Sequence, residues 1–284
     1  MTSVPSVPSV LSVTSAMPLP TFTSTVTFKT LLARDVYEFR VRKPAGFSFV
    51  PGQFILFQVP LVENPADIQT RAFSVASAPF EDDLLFVAKI LPGGRASRWI
   101  IESLTEGSEV AFQGPFGNFV IDRGSEKDYL FIGTGTGVAP FRGMLLSALV
   151  PEAGDSLSLT RRATRHPLPQ TPRAARSAGE GGTRRVDLIF GVKSEADVFW
   201  SDWLESISKK HPNVFIHTVL SQPSDSWTGH RGRVQTLAPL IVRNDFTRTS
   251  LYACGSPAMC KDVKAMALGE WGIDKKDVHV EGYI

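Results

Sequence analysis

From Thr21 to about Asp122 the chain alternates apolar and polar residues in short runs. Thr23 to Thr30, Val36 to Val41, Phe54 to Val59, Arg71 to Ala76, Leu84 to Ile90 and Glu109 to Phe112 each read as a strand with one buried face. Turns containing Gly and Pro separate many of them, most clearly Pro51-Gly52 and Pro92-Gly93-Gly94. One short helix is predicted from Ser97 to Leu104, with Ser97 as its N-cap. Many short strands and a single small helix predict an antiparallel β-barrel.

Beyond Gly124 the rhythm changes. Apolar strands at Tyr129 to Ile132, Val186 to Phe190, Val214 to Val219, Ser250 to Ala253 and Val278 to Glu281 alternate with helical segments. A helix is expected from about Ala139 to Leu149, and another runs to about Lys209, opened by a capping box of Ser194 with Asp197. A third extends to Leu268 with Ser256 as N-cap and Pro257 at its first position. This order predicts an α/β domain with a doubly wound parallel sheet. The reading is therefore of two domains, 21–123 and 124–284, with a disordered tail at 1–20 and a disordered insertion at 152–182, which is rich in Arg, Pro, Ser and Gly.

Composition narrows the classes. The formal net charge is +2, yet seven arginines and one acid lie between Arg161 and Arg185. The basic character sits in one segment, so it does not mark a nucleic-acid-binding body. No run approaches the roughly 20 apolar residues of a spanning helix. The two cysteines, Cys254 and Cys260, cannot supply a disulfide framework or a four-cysteine iron–sulfur site, and a reducing compartment such as the cytoplasm is expected.

Several motifs carry candidate chemistry. Gly133-Thr134-Gly135-Thr136-Gly137-Val138-Ala139-Pro140 follows a strand and opens a helix, where glycines admit a pyrophosphate to the helix N-terminus. Val138 stands where the common dinucleotide fingerprint has its third glycine, and no Gly-Lys-Ser/Thr makes it a P-loop. In Arg71-Ala72-Phe73-Ser74, alternation puts Arg71 and Phe73 on one face, a pairing suited to a phosphate and a flat heterocycle. Gly94-Arg95-Ala96-Ser97 offers backbone N–H groups and a hydroxyl to an anion, or is a plain helix cap. Cys254-Gly255-Ser256-Pro257 ends a strand at the ligand-binding edge of such a sheet, although taken alone it reads more simply as a buried inert thiol. Glu281-Gly282-Tyr283-Ile284 brings a carboxylate and a phenol to the chain end.

Together with Gly114-Pro115-Phe116-Gly117, these motifs in this order resemble the ferredoxin–NADP reductase superfamily. The resemblance implies that Arg71 pairs with the FAD pyrophosphate, Phe73 lies against the isoalloxazine and Ser74 hydrogen-bonds near flavin N5. It implies that Ala72, Ala88 and Lys89 also contact the cofactor and that Gly94, Arg95, Ala96 and Ser97 hold the pyrophosphate from the other side. Thr134, Gly135, Thr136, Gly137 and Pro140, with Gly255, would bind the nicotinamide nucleotide. Ser74, Cys254, Glu281 and Tyr283 would form the catalytic junction, Tyr283 being the aromatic that covers the flavin and yields to nicotinamide. Phe73 stands where relatives carry tyrosine, so a hydroxyl contact is lost and somewhat weaker flavin retention is expected.

Lys193 is placed to meet a 2′-phosphate, whereas Ser221-Gln222 replaces the Ser-Arg of NADPH-selective relatives and tips the expectation to NADH. The implied function is a flavin-dependent NAD(P)H oxidoreductase that passes single electrons to a separate protein such as a ferredoxin or haem protein. A reductase of free flavin, ferric chelates or quinones is the second reading, and a non-catalytic flavoprotein binding module the third. No metal, membrane or nucleic-acid partner is expected.

Overall fold

The computed structural model describes residues 20–149, 184–243 and 245–283. The expected tail, up to residue 19, and the expected insertion at 152–182 lie outside the described residues.

The alternating N-terminal runs fold as β1 (Thr21–Ala33), β2 (Val36–Arg42), β3 (Phe54–Pro60), β4 (Ile68–Ser74), β5 (Asp83–Lys89) and β6 (Glu109–Phe116). They form one antiparallel sheet in the order β4-β3-β6-β1-β2-β5. Its two edges meet just past β4, where Ala76 N–H donates to Leu85 O at 2.8 Å. Period-two alternation fills the interior: Ile55, Phe57 and Val59 of β3 are fully buried while their neighbours are not. Phe57 lies in an aromatic cluster with Phe39, Phe86, Trp99 and Phe112. Burying each such side chain contributes about 1.5–3 kcal/mol.

The small helix begins earlier than its pattern suggests. It spans α1 (Arg95–Arg98) and continues as a π-turn over Trp99–Ser103, with Gly94 at the N-cap position. Ser97 is not the cap. Its hydroxyl is buried and accepts from Leu91 N–H at 2.8 Å, tying the helix back to the Pro-Gly-Gly turn. At the far end Lys29 Nζ donates to the carbonyls of Ile100 and Leu104, satisfying groups that a helix end leaves open.

The second sheet contains β7 (Asp128–Thr134), β8 (Val186–Val192), β9 (Val214–Leu220), β10 (His230–Arg231), β11 (Thr249–Gly255) and β12 (Val278–Gly282), all parallel, in the order β10-β9-β8-β7-β11-β12. Every residue of β8 and β11 is buried, as expected for strands covered on both faces. The described helices are α2 (Ala139–Leu149), α3 (Ser201–Lys210), α4 (Val234–Ile241) and α5 (Pro257–Leu268). Chain order runs outward from β7 to β10 and then returns to β11. The strand order therefore reverses between β7 and β11, and ligands of doubly wound sheets bind at such a point.

Ser256 caps α5 as read, accepting from Met259 N–H at 3.3 Å. The Ser194–Asp197 box also closes, with Ser194 N–H and Oγ donating to Asp197 Oδ2 at 3.0 and 2.7 Å. However, it caps a single turn over Glu195–Asp197. Phe199 then buries against the sheet, Trp200 takes a left-handed conformation, and α3 starts only at Ser201. Sequence reasoning missed α4, which contains Pro239, and the two-residue β10.

Candidate active site

The carboxyl ends of β7, β8, β9 and β11 open onto a groove of about 830 Å³. Thr134, Gly135 and Thr136 line one side of it, and Lys193, Ser221, Gln222 and Arg233 line another. Val36 and Lys89 come from the barrel, so the groove lies between the two sheets. Lys193 and Arg233 have no carboxylate partner among the described residues. Arg233 went unrecognised in the sequence because it precedes the unread α4. Gly135 (φ +54) borders open space, consistent with close approach of a ligand.

Gly137 has a different role. A Cβ there would lie 2.4 Å from Cys254 O, so its hydrogen lets the loop cross directly over β11. Gly255 (φ +147) answers it, since a Cβ there would lie 2.1 Å from Thr134 Oγ1. Thr134 Oγ1 accepts from Ser256 N–H at 3.3 Å, stitching the two loops together. Pro140 is buried in α2; neither Gly137 nor Pro140 lines the groove.

Four sequence-selected side chains meet beside these loops. Tyr283 Oη donates to Ser74 Oγ at 2.7 Å, joining the end of β4 to the residue just past β12. The buried Cys254 thiol lies beside the same phenol. Glu281 is in register with Cys254 across β11 and β12. Tyr283 N–H donates to Gly255 O at 2.8 Å, fixing where the ring enters. Burial pushes the Cys254 thiol and the Tyr283 phenol well above their ordinary pKa values, and it raises Glu281 as well. Cys254 is thus held as a neutral thiol at neutral pH and is a poor nucleophile.

On the barrel side, Arg71 Nη1 donates to Thr70 O at 2.8 Å and Nη2 to Gln69 Oε1 at 2.7 Å. Among the described residues no carboxylate pairs with it, so its charge is open to an anion. Arg95, by contrast, clamps Asp67 through both terminal nitrogens at 3.1 and 3.0 Å. The neighbouring Gly94 and Ala96 are half-buried. With the Ser97 hydroxyl engaged by Leu91, this segment presents mainly backbone to a ligand. Phe73 is half-buried, its ring meeting Phe39 and Phe57 edge-on at 5.8 and 5.6 Å, and Ala72 points outward. The Ala88 side chain belongs to the barrel core. Lys89 donates to Arg34 O at 3.0 Å and lies 3.6 Å from Asp35. A guanidinium with no carboxylate partner among the described residues, an aromatic ring and a buried hydroxyl on one strand are a set that fits a flavin dinucleotide.

Residues 23–121 match the oxidoreductase FAD-binding domain and residues 131–265 the oxidoreductase NAD-binding domain. The chain is 30% identical to ferredoxin–NADP reductase B of Sorangium cellulosum, over 84% of this chain and 86% of that one. It is 27% identical to the ferredoxin–NAD(P)(+) reductase component of the naphthalene 1,2-dioxygenase system of Pseudomonas putida, over 79% of this chain but only 58% of the relative. Among solved structures, ferredoxin–NADP+ reductase from Plasmodium falciparum shares the fold with a TM-score of 0.69 at 20% identity, covering 93% of this chain and 96% of that one. A ferredoxin reductase in carbazole 1,9a-dioxygenase gives 0.71 at 21%, over 95% and 71%.

Proposed function

The chain belongs to the ferredoxin–NADP reductase superfamily, and from that premise we propose that it takes a hydride from NAD(P)H onto FAD and delivers electrons singly to a separate carrier protein. It is an oxidoreductase with FAD- and NAD-binding domains. The flavin, when bound, supplies the conversion of a two-electron donor into one-electron steps. The protein's own contribution is placement. Arg71 holds phosphate, the loop at Thr134–Thr136 receives the nucleotide, and Ser74 offers its hydroxyl where barrel and sheet meet. Burial raises the pKa of Glu281, which stands in register with Cys254 and positions groups at the junction. Tyr283 closes the junction to water, and its ring gives way when the nicotinamide enters.

The observation that supports this reading is the hydrogen bond from Tyr283 to Ser74, which ties the residue just past β12 to the end of β4 and so joins the two sheets. For the nucleotide, Lys193 and Arg233, which have no carboxylate partner among the described residues, support NADPH, offsetting the absence of an arginine at Gln222. Steady-state turnover with purified ferredoxins and haem proteins, set beside free flavin, ferric chelates and quinones, tests the acceptor class. A carrier protein reduced with the higher kcat/KM is the expected result. Faster turnover of every small acceptor than of any carrier would replace this reading with the small-acceptor one.

A further inference from the structure

We propose that Trp200 is a positioning residue that sets the spacing between the nucleotide groove and the flavin-binding barrel; this rests on the function proposed above. The residue is held in an unusual way. Its backbone sits at φ 59, ψ 19, a region that favours glycine and that a bulky side chain rarely adopts. Such a conformation persists where the surroundings over-determine it. Here the side chain provides the reason. Its indole N–H donates across the domain boundary to Glu38 Oε2 at 2.8 Å.

The acceptor is itself fixed. Glu38 is 3% exposed on β2, and Arg40 grips its other oxygen through Nε at 2.9 Å and Nη2 at 2.7 Å. Oε2 is left to accept from Trp200. On its own side the indole packs edge-on against Phe199 and Trp203 at 5.3 and 6.0 Å. A charge-assisted bond between two immobilised groups is a rigid spacer.

Both ends of that spacer adjoin the groove. Phe199 immediately precedes Trp200, and Asp197 lies three residues earlier; both line it. Val36 lines it from two residues before Glu38, and Lys89 lines it as the strand partner of Val36. The Trp200–Glu38 bond thus fixes the segment that leaves β8 relative to the barrel strand facing it. Reactions that depend on near-attack geometry lose about a hundredfold when a group is misplaced by about 1 Å. Other links, the Tyr283–Ser74 bond among them, keep the domains docked without it. Arg142 pairs with Glu81 at 2.8 Å, and Arg34 N–H donates to Ala196 O at 3.0 Å. Cutting the spacer should shift the groove and leave the domains together.

The test uses the full chain loaded with FAD, comparing wild type with Trp200→Phe, Glu38→Ala and the double variant. Stopped-flow bleaching of flavin absorbance by NADPH and NADH reads hydride transfer. Reduction by dithionite and the FAD content read the flavin site alone. Trp200→Phe and Glu38→Ala are each expected to slow nucleotide-driven bleaching by roughly tenfold to a hundredfold, with dithionite reduction and FAD content unchanged. The double variant should be no slower than the slower single one, because both remove one contact. Should Trp200→Phe not fold, Trp200→Gly relieves the left-handed strain and is expected to fold and still be slow. Wild-type rates in either folded Trp200 variant, or losses that multiply in the double variant, overturn the proposal. A wild type that neither nucleotide bleaches overturns the proposed function, and this inference with it.

Discussion

Replacing Gly137 with alanine probes how the floor of the groove is built. The new methyl would fall 2.4 Å from Cys254 O and 2.5 Å from Gly255 Cα. Ordinary contact begins near 3.4 Å, so the loop must retreat by about 1 Å. Neither neighbour can swing aside, since both are backbone atoms of a strand that is buried along its whole length. Overpacking of this kind costs about 1–3 kcal/mol. The retreat also pulls Thr134 away from Ser256 N–H and lifts the loop that lines the groove. If the strain falls wholly on the bound state, nucleotide affinity drops by about 5- to 150-fold. If it falls wholly on folding, the urea midpoint drops at constant slope. Urea unfolding and an anaerobic nucleotide difference titration, run on the same preparation, read both. A variant with native stability and native affinity would show that the close crossing of the loop over β11 constrains nothing, and the reasoning would fail.

The remaining predictions concern single groups. Arg71→Ala should weaken FAD binding by roughly tenfold to a hundredfold, the worth of a charged hydrogen bond, and leave the stability of the FAD-free protein nearly unchanged; a flavin titration with parallel unfolding checks both. Phe73→Tyr should tighten FAD binding by about fivefold, the gain of one net hydrogen bond of ~1 kcal/mol, read as the FAD dissociation constant. Arg233→Ala should lower the NADPH-to-NADH ratio of kcat/KM by about tenfold, measured with both nucleotides on one enzyme batch. Glu281 has a folded pKa above its unfolded value, so its ionisation opposes folding and stability falls as pH rises from the unfolded pKa through the folded one. Glu281→Gln should therefore gain stability over wild type as pH rises through that window, and unfolding midpoints that keep a constant difference at all pH values would refute the assignment.

The fold was largely legible because its strands follow two clear periods: alternation in the barrel and continuous apolar runs in the parallel sheet. Ser256-Pro257 signalled its helix correctly because cap and first position are local chemistry. The failures have identifiable causes. Ser194 and Asp197 do form a capping box, yet burial of Phe199 makes the chain extend before α3 can start. Pro239 hid α4, and with it Arg233 at the groove. Only motif resemblance groups Ser74, Cys254, Glu281 and Tyr283 in the sequence, because nothing in their local sequence requires them to meet. What no motif revealed is which groups are already engaged. Arg71 has no carboxylate partner among the described residues while Arg95 is neutralised by Asp67, and Ser97 is occupied by a turn. The Trp200–Glu38 bond joins residues 162 positions apart and leaves no trace in either segment alone.

The central claim is that barrel and sheet hold FAD and a nicotinamide nucleotide within reacting distance. An anaerobic titration of the purified, FAD-loaded protein with NADPH or NADH, followed by flavin absorbance, tests it most directly. Bleaching complete near one equivalent of nucleotide is the predicted result. A flavin that stays oxidised with both nucleotides, yet bleaches with dithionite, would contradict it.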